Sequence, residues 1–338
     1  MNLKTRLDLL IKLGAYIAEK GETLQTSIRK SYIENKWFTE EQVVFALESI
    51  SKYYLRADLL NDFCESYNIG DNHEAKQVAL IPAGNIPLVG FHDMLCVFLT
   101  GHTCQIKPSS KDKYLAKTLV EALQQFNPEI RQYFSFVERL KDFDAVIATG
   151  SDNTSRYFEY YFKDRPHLIR KNRNGIAILT GDESEQDLRD LGNDVFRYFG
   201  LGCRNVSKLY IPRSFDVKRI FEFWKAYDHY IDHNKYANNF DYNSANFILG
   251  EAPFLTNNVF ILKEDKAFVS RISTIHYEYY DDLKNLQNVL IADKDKLQCV
   301  ATNLNIEDLP CVKLGEAQKP SLFDFADGVD TIQFLQKI

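Results

Sequence analysis

Apolar positions follow two regimes along the chain. In residues 1–70 they recur at helical spacing: Leu3, Leu7, Leu10, Leu13 and Ile17 share one face and Gly21 stops the run. A second run opens at Thr39, where the hydroxyl can cap and Gln42 can reach back, and continues through Val43, Leu47, Ile50 and Leu55 toward Phe63. The polar stretch Asn68-Ile69-Gly70-Asp71-Asn72 closes this helical segment, for which packing is a better reading than an acyl or partner surface.

From Lys76 short apolar runs alternate with amphipathic ones. Val78–Ile81, Thr103–Lys107, Ala145–Ala148 and Ile176–Leu179 predict strands, and Pro87–Leu99, Lys113–Phe126 and Asn153–Phe162 predict the helices between them. Strand and helix in alternation imply an α/β fold with a parallel sheet covered on both faces. Ligands in such sheets collect beyond the carboxyl ends of the strands, which singles out the turns 82–85, 107–111 and 149–153. A further α/β region runs through Lys208–Ile211, a helix around Phe221–Trp224 and a strand at Val259–Leu262.

Composition narrows the class. With 338 residues, 45% hydrophobic and 26% charged, the chain is a folded globular protein long enough for two domains. A net charge of -6 argues against a nucleic-acid partner while leaving room for a local basic pocket. No apolar run is long enough to span a bilayer, and the N-terminal helix lacks a signal-type core. The six cysteines form no CxxC pair and no zinc-type spacing, which fits reduced thiols in a cytoplasm. His229 and His233 stand at helical spacing, but two histidines make no metal site, and no metal is assigned.

Candidate chemistry centres on Phe199-Gly200-Leu201-Gly202-Cys203-Arg204-Asn205-Val206-Ser207. Glycines let backbone approach a substrate carbonyl, and the Arg204 charge favours the thiolate that attacks. A buried structural cysteine is the alternative that residue chemistry leaves open. Asn85, in a strand-to-helix turn, suits either a helix cap or an amide aimed into the crevice. Lys107 follows a strand and precedes a proline, so its ammonium reaches over the sheet edge. Gly150 and Ser151 end a strand and begin a helix, where free N–H groups and the helix dipole suit a pyrophosphate, although no GxGxxG is present.

Ile81-Pro82-Ala83-Gly84-Asn85-Ile86-Pro87-Leu88, Leu99 to Ser109, Ala148-Thr149-Gly150-Ser151 and Gly202-Cys203 occur in the order and approximate spacing of the aldehyde dehydrogenase superfamily, which the chain resembles from Lys76 onward. Phe199 to Pro212 and Gln318 to Thr331 most resemble its acyl-CoA reductase branch, whose best-known members supply fatty aldehyde for bacterial luminescence. The resemblance implies an aldehyde dehydrogenase-like fold: a helical N-terminal segment (1–70), a nucleotide-binding domain (71–180), a catalytic domain carrying the nucleophilic cysteine (181–315) and a C-terminal segment (316–338). It implies Cys203 as nucleophile and Asn85 as oxyanion donor with the Cys203 amide. It places Lys107 on the adenine ribose or its phosphate, Gly150 and Ser151 at the pyrophosphate, and Glu278 near the nicotinamide ribose. Relatives often carry another glycine near Ser155.

Ser110 stands where NAD-preferring relatives often have an acidic residue, and Lys111 follows. A lost carboxylate and a gained ammonium favour a 2′-phosphate, hence NADPH, although Lys111 and Lys113 also read as a solvated first turn. Hydrolytic relatives place a water-activating glutamate in a stretch corresponding to Leu168–Gly175, which here contains no Asp or Glu. Arg170, Lys171 and Arg173 take its place, either capping a sheet edge or meeting phosphates, and a base from elsewhere such as His276 stays open. The implied reaction is reduction of an acyl-CoA by NADPH through a Cys203 thioester. An acyl phosphate, an acyl-protein donor or a non-reducing acyl-holding subunit are the alternatives. A homodimer and an acyl-supplying partner enzyme are compatible with it.

Overall fold

The computed structural model describes residues 1–71, 74–150 and 152–338. The chain forms two compact units, one of residues 1–172 with 320–338, the other of residues 173–319.

The first unit opens with four helices, α1 (Leu3–Glu19), α2 (Glu22–Glu34), α3 (Glu40–Tyr53) and α4 (Ala57–Ser66). Asn2 and Thr39 cap α1 and α3. The run expected to continue unbroken from Thr39 toward Phe63 is two helices, because Arg56 turns extended and starts α4. Then come β1 (Gln77–Ile81), α5 (Phe91–Leu99), β2 (Thr103–Ile106), α6 (Leu115–Phe126), β3 (Phe134–Phe136), β4 (Ala145–Thr149), α7 (Asp152–Phe162) and β5 (His167–Arg170). The five strands pair in parallel in the order β3-β2-β1-β4-β5. Leu9, Leu13, Phe38, Leu47 and Phe63 share one apolar core with Val78, Leu80 and Ile147, so the helical segment is part of this unit. Buried Arg6 on α1 donates to the carbonyls of Met1, Gly70 and Leu99, fastening α1 to the end of α5.

The second unit holds β6 (Asn174–Ile178), α8 (Glu185–Phe196), β7 (Val206–Pro212), α9 (Ile220–Phe223), α10 (Asn234–Leu249), β8 (Leu255–Thr256), β9 (Ile261–Glu264), β10 (Thr274–Tyr280), α11 (Leu283–Ala292), β11 (Leu297–Ala301) and β12 (Cys311–Val312). Its sheet runs β12-β11-β6-β7-β10-β9-β8, parallel except at the β8–β9 edge. The strand at Ile176–Leu179, expected in the nucleotide-binding domain of residues 71–180, is therefore β6 of this second sheet. A buried parallel strand carries the same apolar run whichever sheet receives it.

The last residues return to the first unit and end in α12 (Thr331–Leu335). Tyr67 donates to Asp330 at 2.7 Å, the Lys171 amide to Asp327 at 2.8 Å, and the Leu322 and Leu335 carbonyls meet His92 and His102. Residues 320–338 thus pack as part of the first unit. Among the described residues no helix is long and apolar enough to cross a membrane.

Candidate active site

In the first unit the turns after β1, β2 and β4 lie at the carboxyl edge of one parallel sheet. Since β1 is flanked by β2 and β4, the chain reverses its winding direction there, which opens a crevice at that edge. Asn85 is exposed in the turn after β1, Lys107, Ser110 and Lys111 are exposed after β2, and Gly150 follows β4. The sheet thereby brings together four of the predicted cofactor residues and Asn85. Ser151 lies outside the described residues.

Close contacts fix these turns. A Cβ at Gly84 would lie 2.3 Å from Ser109 Oγ, so a glycine is required where the β1 turn meets the β2 turn. Leu88 holds a left-handed backbone at φ 59°, and its amide donates to Asp112 at 2.8 Å. Burial pushes that carboxyl up to about 6. Asp112 shares a small apolar pocket with Pro82, Leu88, Met94, Ile106 and Pro108. A Cβ on Gly150 would sit 3.0 Å from Thr154, and Ser155, where relatives often carry glycine, is buried on α7.

The basic stretch before β6 is resolved into structural roles. Arg170 is buried, forms a two-pronged ion pair with buried Asp93 of α5 at 2.7 and 3.0 Å, and donates to Thr331 of α12 at 2.8 Å. Lys171 pairs with Glu159 at 2.8 Å, and Arg173 donates to the Leu297 carbonyl. Of the two readings left open, sheet-edge anchoring fits each of these contacts.

In the second unit Cys203 is exposed, whereas Cys64, Cys96, Cys104 and Cys299 are buried and Cys311 is half-buried. Burial pushes the thiols of Cys64 and Cys311 up, that of Cys64 to about 11, and those of Cys96 and Cys104 well above the ordinary range. Before Cys203 the backbone is left-handed at three residues running: Tyr198 (φ 55°), Phe199 (φ 56°) and Gly200 (φ 76°). For the two aromatic residues this costs on the order of 1–2 kcal/mol each. Packing holds them there, with Phe199 against Tyr230 and His233 at ring distances of 4.6 and 4.7 Å. His233 also caps α10, and the described residues contain no cluster of three metal-ligating side chains.

The turn at Cys203 is pinned by its own neighbours. Buried Asn205 accepts the Gly202 amide at 2.7 Å, returns its own amide to the Gly202 carbonyl, and donates its side-chain amide to Arg197 O at 2.6 Å beyond the end of α8. Arg204 Nε donates to Ala317 O at 2.6 Å. Gly175 on β6 passes so close beneath that a Cβ would lie 2.5 Å from Asn205 O and 2.7 Å from Arg204 O. The pattern search missed Asn205, although an Asn two residues after a candidate nucleophile in a glycine-rich turn is a recognisable turn residue.

Glu278 lies on β10 and pairs at 2.5 Å with Lys208, whose side chain is fully buried and also donates to Lys266 O. The Lys208 ammonium stands over the Tyr210 ring, 4.6 Å from its centre. His276, on the same strand, has one ring nitrogen engaged with the Ala267 carbonyl, and burial lowers its pKa.

The fold is similar to that of solved aldehyde dehydrogenases. Over the whole chain the fold is similar to aldehyde dehydrogenase 21 from Physcomitrella patens in complex with succinate, with TM-score 0.67, 12% identity and 84% of that chain covered. It is also similar to an NADP-dependent enzyme from E. coli (TM-score 0.65, 14% identity, 93% of this chain and 78% of that one). Aldehyde dehydrogenase C from Pseudomonas syringae, with NAD+ and octanal, gives TM-score 0.64 at 12% identity, covering 89% of this chain and 72% of that one. Within that architecture, residues 72–226 match the family described as acyl-CoA reductase (LuxC). No curated protein matches the sequence significantly.

Proposed function

We propose that the protein reduces an acyl-CoA thioester to an aldehyde with NADPH through an acyl-enzyme on Cys203. The observation that carries this reading is the exposure of Cys203 in a strained, internally pinned turn, while the other five thiols are buried or half-buried. The family match spanning this turn and the fold supports it.

The Cys203 thiolate attacks the acyl carbonyl, the C–S bond to CoA breaks, and CoA leaves as a thiolate. The oxyanion donors proposed by resemblance are the Cys203 amide and Asn85, for a charge that exists only as the bond forms. The residues at the carboxyl edge of the first sheet suit a dinucleotide: Gly150 stands between β4 and α7, a helix N-terminus being a favourable place for a pyrophosphate, Lys107 and Lys111 supply positive charge, and Ser110 sets no carboxylate against a 2′-phosphate. A bound nicotinamide would supply hydride to the thioester carbon, after which the C–S bond to Cys203 breaks, its electron pair returns to Sγ and aldehyde is released. The stretch 168–175 offers water no carboxylate base, which directs the acyl group toward reduction.

Intact-mass measurement after incubation with a panel of acyl-CoAs, without cofactor, tests the reading. One acyl group on Cys203 is expected, lost in Cys203→Ser. Label on any other cysteine refutes it.

A further inference from the structure

Asp194, on the last turns of α8, is a completely buried carboxylate to which the catalytic reading gives no role. It accepts the amides of Gly315 at 2.7 Å and Ala317 at 2.9 Å, one on each oxygen. Two residues that start and end this short segment are thus fixed to α8, and Gly315 adopts φ 85° where a Cβ would strike Asp190. Ala317 then presents its carbonyl to Arg204 Nε. Two hydrogen bonds in series, from the Ala317 amide to Asp194 and from Arg204 to the Ala317 carbonyl, link Asp194 to the cation that follows Cys203 in sequence, with the Gly315 bond beside the first. On the other side, Asn205 ties the same turn to the end of α8.

A buried carboxylate is costly to keep, and burial pushes Asp194 up to about 7 despite its two amide donors and Lys319 nearby, with Glu316 adding to the rise. An apolar residue would pack α8 without that cost. What it would not do is hold two backbone amides and, through them, the carbonyl that orients Arg204.

We infer that Asp194 is a positioning residue for the nucleophile: by clamping Gly315–Ala317 it fixes Arg204, the cation that follows Cys203 in sequence, and with it the turn that carries the thiol. This rests on the proposal that Cys203 is the reactive thiol, but it can be read without acyl chemistry. In Asp194→Asn the amide opposes one of the two N–H groups, the segment loosens, and the Ala317 carbonyl holds Arg204 less firmly.

The test is the rate of iodoacetamide alkylation at Cys203 at neutral pH, located by peptide mapping, together with the thiolate ultraviolet absorbance as the difference from Cys203→Ser. Asp194→Asn and Arg204→Gln are each expected to slow alkylation by about three- to tenfold and to lower the thiolate signal. Because both act through one path, the double variant is expected to be no slower than the slower single variant. If Asp194→Asn does not fold, Arg204→Gln alone must show the loss. Unchanged alkylation in a folded Asp194→Asn, an unchanged rate in Arg204→Gln, or losses that multiply in the double variant would overturn the inference. Normal alkylation with no acylation by acyl-CoA would count against the substrate proposal and leave this positioning role standing.

Discussion

Gly175→Ala adds a single methyl group at the place where β6 passes under the Cys203 turn. The added carbon would lie 2.5 Å from Asn205 O, 2.7 Å from Arg204 O and 2.8 Å from Asn205 C. All three are backbone atoms, so no rotamer change relieves the clash. The turn or the strand must retreat by about 0.5–0.9 Å to reach tolerable contact. Retreat of the strand strains its pairing with β11 and β7. Retreat of the turn stretches the Asn205 bonds and displaces the Cys203 amide. Overpacking of this kind costs roughly 1–3 kcal/mol, which in a chain of this size lowers Tm by a few degrees. A misplacement approaching 1 Å at a reacting group costs up to about 10²-fold in rate. We therefore expect a folded protein with modestly lower Tm and a rate of Cys203 acylation reduced about 10- to 100-fold, read by stopped samples and intact mass. A variant with an unchanged acylation rate would show that the turn's position does not govern Cys203, whatever its effect on Tm.

Three further outcomes follow from other parts of the molecule. Arg170→Met leaves Asp93 buried without its partner and is expected to cost about 3–5 kcal/mol in urea unfolding, with part of that recovered in the double variant Asp93→Asn/Arg170→Met. Equal losses in both would remove the ion pair from the account. Ser110→Glu sets a carboxylate where a 2′-phosphate would lie and should shift the NADPH-to-NADH ratio of kcat/KM toward NADH by about tenfold or more; an unaltered ratio refutes the assignment. Because burial raises the Asp194 carboxyl to about 7, its favourable contribution is full below the ordinary carboxylate range and is lost as pH rises through about 7, by at most about 4 kcal/mol. Asp194→Asn should thus be most destabilising near pH 5, with a deficit that shrinks or reverses by about pH 8 in urea midpoints. A deficit that grows with pH would reverse the sign of this assignment.

How far the chain could be read from its letters depended on range. The strands at 77–81, 103–106 and 145–149 announce themselves as short apolar runs between amphipathic helices, and the turns after them carry the residues expected at a sheet's carboxyl edge. α2 was not foreseen, since Glu22–Glu34 keeps a thin stripe of Leu24 and Ile28 among polar residues. Nothing in Ile176-Ala177-Ile178 says which sheet receives it, and nothing in Asp330-Thr331 says that the chain returns to the first unit. Those facts are long-range pairings. Arg170 read equally well as a phosphate ligand or an anchor until Asp93, seventy-odd residues earlier, was found beneath it. Nothing in the sequence singles out Asp194, because its partners are backbone amides with no sequence signature. Glu278 was placed by analogy alone, and its engagement with Lys208 depends on register between β7 and β10.

In the proposed reaction the Cys203 thioester is discharged by hydride or by CoA rather than by water. A positioned general base contributes about 10²–10⁴-fold to hydrolysis, and the titratable groups of residues 168–175 are Arg170, Lys171 and Arg173, of which Arg170 is bound to Asp93 and Lys171 to Glu159. His276, the outside base considered, has one ring nitrogen engaged with Ala267 O. The decisive measurement starts from enzyme acylated on Cys203 and freed of excess acyl-CoA, and follows free acid in buffer against aldehyde after NADPH addition in a parallel sample. The acyl-enzyme is expected to persist in buffer, to return acyl-CoA when CoA is added, and to give one aldehyde per Cys203 with NADPH. Free acid released as fast as aldehyde would contradict that expectation.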